Sequence, residues 1–208
     1  MKTLLGVYPL QNRLTGEFED AELYMPLDQK NADDFETEWL PVLNSRVANL
    51  SADENHESAN VQDLHWEWRN KIKERTGRMD FVSYAVECNG VTQGMMSACN
   101  CEFVKEPSQL GQFLIYIDLI ASAPWNRRGF TENRLYKGVG ELLLGTAISY
   151  SINEGFNGRI GLHSLPQSEF WYSNVCGMTD LGIDLNHPQS LRLFEMTEEQ
   201  AQSYISTS

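Results

Sequence analysis

The segment RLYKGVG at residues 134–140 constrains the fold of this chain more than any other part of it. It follows a mostly apolar run at 113–121, typical of a buried strand, and precedes an apolar run at 141–154, typical of a helix. Glycines allow a ligand to approach the backbone closely, and the N–H groups of a first helical turn attract anions. We therefore expect a phosphate-binding loop; the alternative is a solvated loop before an ordinary helix.

Basic residues are concentrated around this segment. Arg127, Arg128, Arg134 and Lys137 are four of only seven Lys or Arg residues between positions 79 and 208. The chain as a whole carries a formal net charge of −13, so a local positive cluster is unusual within it. The cluster favours a cradle for a phosphorylated cofactor.

The composition is that of a globular protein, with 41% hydrophobic and 22% charged residues in a chain of 208. That length allows one domain with a sizeable core, which is the organisation we expect. The acidic charge argues against nucleic acid as a partner, because duplex binding needs many Lys and Arg contacts. An acidic surface would attract a cationic substrate such as an amine, or it would serve only solubility.

Two further absences in the sequence limit the classes of protein to be considered. The chain has no apolar run of about eighteen residues, the length of a membrane helix, and no signal-peptide pattern at its start. We therefore expect a cytoplasmic protein with no membrane partner. The cysteines, Cys88, Cys99, Cys101 and Cys176, lack the paired spacing of a zinc site, so we expect no metal and interpret them as small buried side chains.

Hydrophobic periodicity divides the chain into helices and strands. We expect helices over 31–47, 61–75, 141–154 and 167–175, and strands over 80–88, 91–103, 113–121, 159–165, 178–185 and 191–196. Asn89-Gly90 is a strong hairpin signal, and Gly94 indicates a bulge or a close approach of another segment. Thr197 and Gln200 have the capping-box pattern that begins a terminal helix.

In its order of elements and its glycine loop, the chain resembles the GNAT superfamily of acyl-CoA-dependent N-acyltransferases. The resemblance covers residues 23–208 and leaves 1–22 as an N-terminal extension or hairpin. It implies a single α/β (α+β) domain with a mixed, mostly antiparallel central sheet flanked by helices. It also implies an enzyme that moves an acetyl or related acyl group from acetyl-CoA to a primary amine.

The GNAT signature R/Q-x-x-G-x-G/A aligns with LYKGVG at 135–140, where leucine replaces the usual polar first residue. The cofactor-binding residues implied by the resemblance are Leu119, Ile120, Ala121, Arg134, Lys137, Gly138, Val139 and Gly140. The first three would pair with the pantetheine arm of coenzyme A through their backbone. The others would hold its diphosphate, with Arg134 or Lys137 replacing the missing polar side chain, or with backbone N–H groups alone.

Two residues are candidate catalytic groups. Asp118 interrupts the apolar strand at 113–121, and a carboxylate removed from water accepts a proton more readily. It is therefore a candidate general base, the alternative being a structural aspartate that accepts backbone hydrogen bonds. The segment FWYSNVCGM at 170–178 resembles the family's F-Y-x-x-x-G-F segment with one extra residue. The resemblance implies Tyr172 as the acid that protonates the coenzyme A thiolate; the alternative is an aromatic side chain that only packs its helix.

The reaction we expect is direct attack of the amine on the thioester, because no Cys-His or Ser-His-Asp set is identifiable. His163 could face the same site, although a lone histidine is more often packed.

The alternative function is a non-catalytic acyl-CoA-binding or protein-interaction module on the same fold, favoured by Leu135 and the altered spacing after Tyr172. The acceptor would be a small molecule, peptide or protein recognised by 31–75, 125–133 and the C-terminal hairpin. Aromatic side chains exposed on the early helices would allow a homodimer.

Overall fold

The computed structural model describes residues 2–51, 53, 55–56, 59–128, 130 and 134–207 of the 208-residue chain. The chain divides into two compact units, Met1–Ser97 with Ile120–Leu143 and Ala98–Leu119 with Leu144–Ser208. Each unit has an apolar core. The core of the first includes Leu23, Trp39 and Leu43, and the core of the second includes Ile115, Ile148 and Phe194.

Nine strands of the described residues form one sheet. They are β1 (Thr3–Asn12), β2 (Phe18–Met25), β3 (Phe81–Cys88), β4 (Val91–Phe103), β5 (Phe113–Ser122), β6 (Tyr136–Lys137), β7 (Ile160–Ser164), β8 (Thr179–Ile183) and β9 (Arg192–Met196). Their order across the sheet is β6-β1-β2-β3-β4-β5-β7-β9-β8. β5 and β7 are parallel, whereas β1 with β2, β2 with β3, β7 with β9 and β8 with β9 are antiparallel. The predicted mixed, mostly antiparallel sheet is confirmed.

The first two strands form a hairpin, and its second strand also pairs with β3. β1 pairs with β2 along almost its whole length, and Ala21 to Tyr24 of β2 pair with β3. At the other edge of β1, Gln11 and Asn12 pair with β6. The predicted boundary between residues 22 and 23 falls inside β2, and that division of the chain stays a prediction.

The helix predicted over 31–47 is confirmed as one continuous helical segment. α1 (Gln29–Asp34) passes into a π-helical turn (Phe35–Trp39) and then into α2 (Leu40–Ala48). Pro41, which has no N–H to donate, is the second residue of α2. The buried side chains of this segment include Phe35, Trp39 and Leu43, which are spaced four residues apart and form one apolar face.

The single helix predicted over 61–75 is wrong. A 3₁₀ turn at Gln62–His65 ends at Trp66, whose ψ of 125° is extended, and α3 begins separately at Trp68 and ends at Arg75. The 3₁₀ turn holds Asp63, whose carboxylate is buried in an ion pair with Arg127. A long-range ion pair has no sequence periodicity, so the pattern of apolar residues alone could not locate this break.

The hairpin and close approach predicted around residue 90 are both present. Asn89 and Gly90 have positive φ of 52° and 76°, as a tight two-residue turn requires. A Cβ atom placed on Gly94 of β4 would lie 2.6 Å from Cγ1 of Val139 and 2.9 Å from Cδ1 of Leu143. Gly94 therefore marks a close approach to the helix that Val139 begins, because any larger residue would collide with it.

The C-terminal elements largely follow the predictions. α4 (Val139–Asn153) is the helix after the glycine loop, and α5 (Glu198–Thr207) is the terminal helix. The capping box of α5 is formed, since Gln200 N donates to Thr197 Oγ1 at 3.3 Å and Thr197 N donates to Gln200 Oε1 at 2.8 Å. The helix predicted over 167–175 is present as one short helical segment, with a 3₁₀ turn at Pro166–Ser168, helical backbone at Glu169 and Phe170, and a π-helical turn at Trp171–Val175.

The aromatic residues of the early helices are buried rather than exposed. Phe35, Trp39 and Trp68 are 2%, 0% and 1% accessible, so the premise of the predicted homodimer is wrong. None of the helices in the described part of the chain has the length and apolar character needed to cross a membrane. Within the same residues, no three His, Cys, Asp or Glu side chains are grouped in a way that could hold a metal ion.

Candidate active site

The glycine loop lies between β6 and α4 and has the backbone geometry of an anion site. Gly138 has φ of +104°, a conformation that favours glycine, and α4 begins at the next residue. The first hydrogen bond into the helix runs from Leu142 N to Gly138 O at 2.8 Å. The N–H groups of Val139, Gly140 and Glu141 therefore belong to the first turn, where N–H groups have no partner within the helix.

A network of buried amide side chains holds this loop in place. Gln93 accepts hydrogen bonds through Oε1 from Trp125 Nε1 at 2.8 Å and from Asn126 Nδ2 at 3.0 Å. Asn126 Oδ1 in turn accepts from the backbone N–H of Tyr136 at 2.9 Å. The Tyr136 hydroxyl donates to Glu19 Oε2 at 2.6 Å. The chain entering the glycine loop is thereby tied to β4 and β2, a feature that no local sequence signal indicates.

The four basic residues of the predicted cradle do not act together. Arg127 makes a bidentate contact with Asp63, with N···O distances of 2.6 and 2.7 Å, and also donates to the carbonyl oxygens of Asn60 and Ser122 at 2.9 Å. Its side chain is 10% exposed and that of Asp63 is 4% exposed. Arg127 is therefore a structural residue, and its assignment to the phosphate cradle is wrong. Lys137 is exposed and Arg134 is half-buried. Their roles in cofactor binding stay predictions.

β5 contains the segment predicted to pair with the pantetheine arm. The parallel ladder with β7 joins Ile115 to Ile160, Tyr116 to Gly161 and Ile117 to Leu162, and has no further pair in the described residues. β5 itself continues through Leu119, Ile120 and Ala121 to Ser122. Backbone groups of these later residues that face away from β4 therefore lie outside the ladder with β7, and a ligand could pair with them.

Asp118 directly follows the last pair of that ladder. Its side chain is half-buried, so it is less removed from water than the apolar run predicts. Alternation along the strand places Asp118 on the same face of the sheet as Tyr116 and Ile120. The predicted role of Asp118 as a base stays a prediction.

Tyr172 lies in the π-helical turn at Trp171–Val175 and is 5% exposed. Its ring packs against Trp171 and Phe194, with centroid distances of 5.0 and 5.9 Å. Burial raises the pKa of the Tyr172 phenol, and the charge of Cys176 raises it further. The phenol is therefore protonated at neutral pH, which is the form that a general acid requires. Its aromatic packing equally fits the alternative, a structural tyrosine.

A second set of polar residues, which the sequence analysis missed, surrounds His163 on β7. His163 Nδ1 lies 2.7 Å from the Tyr116 hydroxyl, and its Nε2 lies 3.2 Å from Asp184 Oδ2. Lys105 Nζ donates to the same Asp184 oxygen at 3.0 Å. The ring of His187 stacks on that of His163 with centroids 4.3 Å apart. The sequence held one signal for this set: Tyr116 lies two residues before Asp118, and therefore on the same face of the strand.

Two of the three elements predicted to determine acceptor specificity, 31–75 and 125–133, line an open cleft of about 480 Å³. It is lined by Pro41, Val42, Ser45, Arg46, Asn49 and Phe130. Part of α2 and part of the predicted loop 125–133 therefore share one surface, while residues 129 and 131–133 of that loop lie outside the described residues.

No family model matches the chain, and no curated protein matches it in sequence. Solved structures match its fold. The PaiA N-acetyltransferase from Thermoplasma acidophilum, solved in complex with coenzyme A, is 13% identical with a TM-score of 0.51, over 84% of this chain and 97% of that one. FeeM, an N-acyl amino acid synthase from uncultured soil microbes, is 12% identical with a TM-score of 0.53, over 88% and 93%. An uncharacterized protein from Bacillus halodurans is 13% identical with a TM-score of 0.56, over 98% and 96%.

Proposed function

The chain has the fold of the GNAT superfamily, and from that fold we propose that it is an acyltransferase that moves an acetyl group from acetyl-CoA to a primary amine. The observation that carries the proposal is the positive φ of +104° at Gly138, directly before α4. The loop between β6 and α4 is the segment to which the resemblance assigns the coenzyme A diphosphate. A fold neighbour, PaiA, was solved with coenzyme A.

The loop residues have distinct proposed roles in binding the cofactor. Backbone N–H groups of Gly138, Val139 and Gly140 bind the diphosphate, favoured by the dipole of α4. The side chain of Val139 is buried, so only its backbone is available to the ligand. Lys137 and Arg134 supply the positive charge that Leu135 lacks. The backbone of Leu119, Ile120 and Ala121 pairs with the pantetheine arm.

We assign the proton transfers to Asp118 and Tyr172. Asp118 accepts a proton from the ammonium group of the acceptor, and the resulting amine attacks the carbonyl carbon of the thioester. A backbone N–H near Ile120 stabilises the negative charge that develops on the carbonyl oxygen. Tyr172, whose phenol is protonated at neutral pH, donates a proton to the departing thiolate. The acyl group passes directly between the substrates, without a covalent enzyme intermediate.

The first experiment measures the midpoint of thermal unfolding with and without acetyl-CoA. A ligand that binds only the folded state raises the midpoint, so we expect a rise with the wild type. The rise should be lost in Gly138→Glu, because a side chain at φ of +104° strains the loop backbone and a carboxylate repels the diphosphate. Gly145→Ala is the matched control, because Gly145 lies in α4 and a Cβ there meets no atom within 4 Å. No rise at millimolar acetyl-CoA would contradict cofactor binding.

The second experiment separates an enzyme from a binding module with the same fold. We expect acetyl-CoA-dependent thiol release with one or more members of a panel of polyamines, amino sugars and amino acids. Asp118→Asn and Tyr172→Phe should lower turnover by about 10²-fold while the acetyl-CoA-induced rise in Tm remains. Binding of acetyl-CoA with no thiol release above hydrolysis would favour the non-catalytic module. Unchanged turnover in both variants would refute only their assigned roles.

A further inference from the structure

We infer that Tyr116, His163 and Asp184 form a proton relay that accepts a proton from the reacting nitrogen, with Tyr116 as the residue that faces the substrate. The inference rests on the proposed acyl transfer and adds a proton acceptor to it. All three residues belong to the second compact unit, on β5, on β7 and directly after β8. Nothing in the sequence spacing joins them, since they are distant along the chain.

The hydrogen-bond pattern determines which atom carries each proton. Hydrogen bonds from Lys105 Nζ, from the backbone N–H of Asn186 and from His163 hold the pKa of Asp184 well below its usual range, so its carboxylate is ionised and only accepts. Nε2 of His163, 3.2 Å from Asp184 Oδ2, must then carry the imidazole proton. Nδ1 is consequently an acceptor, and the Tyr116 hydroxyl, 2.7 Å away, donates to it.

A hydroxyl, an imidazole and a carboxylate are hydrogen-bonded here in the same order as the nucleophile, the base and the orienting carboxylate of a catalytic triad. The side chains of His163 and Asp184 are 8% and 15% exposed, so the hydrogen bonds are shielded from water. The stacked ring of His187 restricts the plane of the His163 ring further. The imidazole is therefore held in one orientation and one tautomer, which a relay requires.

Tyr116 and Asp118 lie on the same face of β5. Their Cα atoms are separated by two residues of strand, roughly 7 Å, and the charge of Asp118 acts on the Tyr116 phenol. A nitrogen atom bound at the Asp118 carboxylate would therefore lie on the same strand face as the Tyr116 phenol. Burial raises the pKa of Tyr116, with further contributions from Asp118 and Glu102. The phenol therefore keeps its own proton until a base takes it. It can accept a proton from the substrate only as it gives its own to His163.

The proposed step conserves atoms and charge. After Asp118 has taken the first proton of the ammonium group, the C–N bond forms and a second N–H bond of the nitrogen breaks, with its proton passing to Tyr116 Oη. The Oη–H bond of Tyr116 breaks in the same step, and that proton passes to His163 Nδ1. The imidazolium is stabilised by Asp184 and later releases its proton to solvent. The C–S bond breaks, and Tyr172 protonates the thiolate. Asp118 also releases its proton to solvent and Tyr172 takes one up from solvent, so that the full reaction releases one proton.

The charges around His163 determine the pH range in which the relay operates. Burial lowers the pKa of His163, the hydrogen bond to Asp184 opposes this shift, and the charges of His187 and Lys105 lower the pKa further. His163 is therefore neutral, and able to accept a proton, at pH values above its ordinary 6.5 and somewhat below it. Activity should fall on the acid side as His163 becomes protonated.

The test combines kinetics with spectroscopy. Thiol release from acetyl-CoA is measured between pH 5 and 9, about the range in which histidine titrates, with whichever polyamine, amino sugar or amino acid the wild type acetylates. Tyr116→Phe and His163→Gln should each lower kcat by about 10²-fold, with the KM for acetyl-CoA unchanged. His163→Gln should also abolish the acid limb that His163 causes. Tyr150→Phe, a tyrosine of α4 outside the relay, should retain wild-type kcat and pH profile.

Two further measurements test the relay even if Tyr116→Phe or His163→Gln fails to fold: the kinetics of Asp184→Asn and a spectrum of the wild type. Asp184 lies on the loop after β8. The Asp184→Asn variant should have a lower kcat, and its activity should decrease at a different pH on the acid side. Nitrogen-15 spectra of histidine-labelled wild type should show His163 protonated at Nε2. An Nδ1–H tautomer, or kcat within about twofold of wild type in Tyr116→Phe and His163→Gln, would overturn the relay while leaving the acyltransferase proposal intact. If the wild type binds acetyl-CoA but acetylates no amine, both proposals fail.

Discussion

At the scale of single residues, the ion pair between Arg127 and Asp63 joins two segments that are distant along the chain. Both side chains are almost inaccessible, at 10% and 4%, and Arg127 also donates to two backbone carbonyl groups. Charges so far from water are tolerated only when their hydrogen bonds are satisfied. The pair joins the 3₁₀ turn at Gln62–His65 to the segment that leads into the glycine loop, so an arginine predicted to bind phosphate has a structural function instead.

Removing one member of this pair should destabilise the protein strongly. We expect Asp63→Asn to lower the free energy of unfolding by about 3–5 kcal/mol, because Arg127 remains buried without an opposite charge. Urea unfolding measures the change. Glu36→Gln is the control, since the contact of Glu36 with Arg69 is 44% and 26% exposed and should contribute about 1 kcal/mol or less. Equal effects of the two substitutions would contradict the structural role of the pair.

At the scale of elements, two glycines affect α4 in different ways: Gly94 packs against it and Gly145 lies within it. Gly94 of β4 provides space for Val139 and Leu143 in the first turns of α4, since a Cβ added at Gly94 would lie only 2.6 and 2.9 Å from their side chains. Gly145 lies within α4, where no atom lies within 4 Å of an added Cβ. The first glycine is required by packing, whereas the second only lowers helix propensity.

Alanine at these two positions should therefore change stability in opposite directions. Gly94→Ala should lower the free energy of unfolding by about 1–3 kcal/mol, since Val139 has to move, and should weaken the rise in Tm that acetyl-CoA causes. Gly145→Ala should raise the free energy of unfolding by about 0.5–1 kcal/mol. Chemical unfolding of the two variants provides the comparison. A stabilised Gly94→Ala variant would contradict the close approach.

The start of α5 depends on its capping box. Thr197 and Gln200 satisfy two N–H groups reciprocally through their side chains. We expect Thr197→Ala to lower the free energy of unfolding by about 1 kcal/mol, measured by urea unfolding. Ser206→Ala, near the exposed end of the same helix, should change it by less than about 0.5 kcal/mol. A similar loss in both variants would show that the cap has no special role.

At the scale of the whole molecule, several groups titrate differently in the folded and unfolded states. Burial lowers the pKa of His163 from its ordinary 6.5. For Glu87, hydrogen bonds from Lys2, Lys30 and Asn31 outweigh burial and lower the pKa below 4.5. Burial raises the pKa of Glu195, which contributes with the opposite sign. The folded state therefore binds fewer protons than the unfolded state at His163 and Glu87.

Stability should consequently decrease in two stages on acidification. The unfolded chain binds a proton at His163 as pH falls through about 6.5, whereas the folded chain binds it only at lower pH, so the free energy of unfolding begins to decrease there. A steeper loss follows below pH 4.5, as Glu87 and other paired carboxylates are protonated. Urea unfolding across this range measures both stages. In His163→Gln the first stage should be absent; an unchanged first stage would assign it to another group.

The sequence was sufficient for most helices and strands because their signals are local. Alternation and Asn89-Gly90 predicted the β3–β4 hairpin, and the apolar run before the glycine loop predicted β5. The break between the 3₁₀ turn and α3 was not predictable, since it accompanies an ion pair with a residue far along the chain. Similarly, Asp118 was predicted to be buried from its apolar neighbours in sequence, but its exposure is decided by the strands beside it.

By itself, the sequence predicted β5, the loop before α4 and the candidate residue Asp118, because each depends on periodicity or on a short motif. The mixed sheet and the candidate Tyr172 were predicted from the resemblance to the GNAT superfamily. Tertiary structure alone decided which polar groups meet. It directed Arg127 to Asp63 rather than to a phosphate, and it joined Tyr116, His163 and Asp184 into one hydrogen-bonded chain. The physical reason is that hydrogen bonds and ion pairs act over a few ångströms in space, whereas sequence patterns describe only neighbours along the chain.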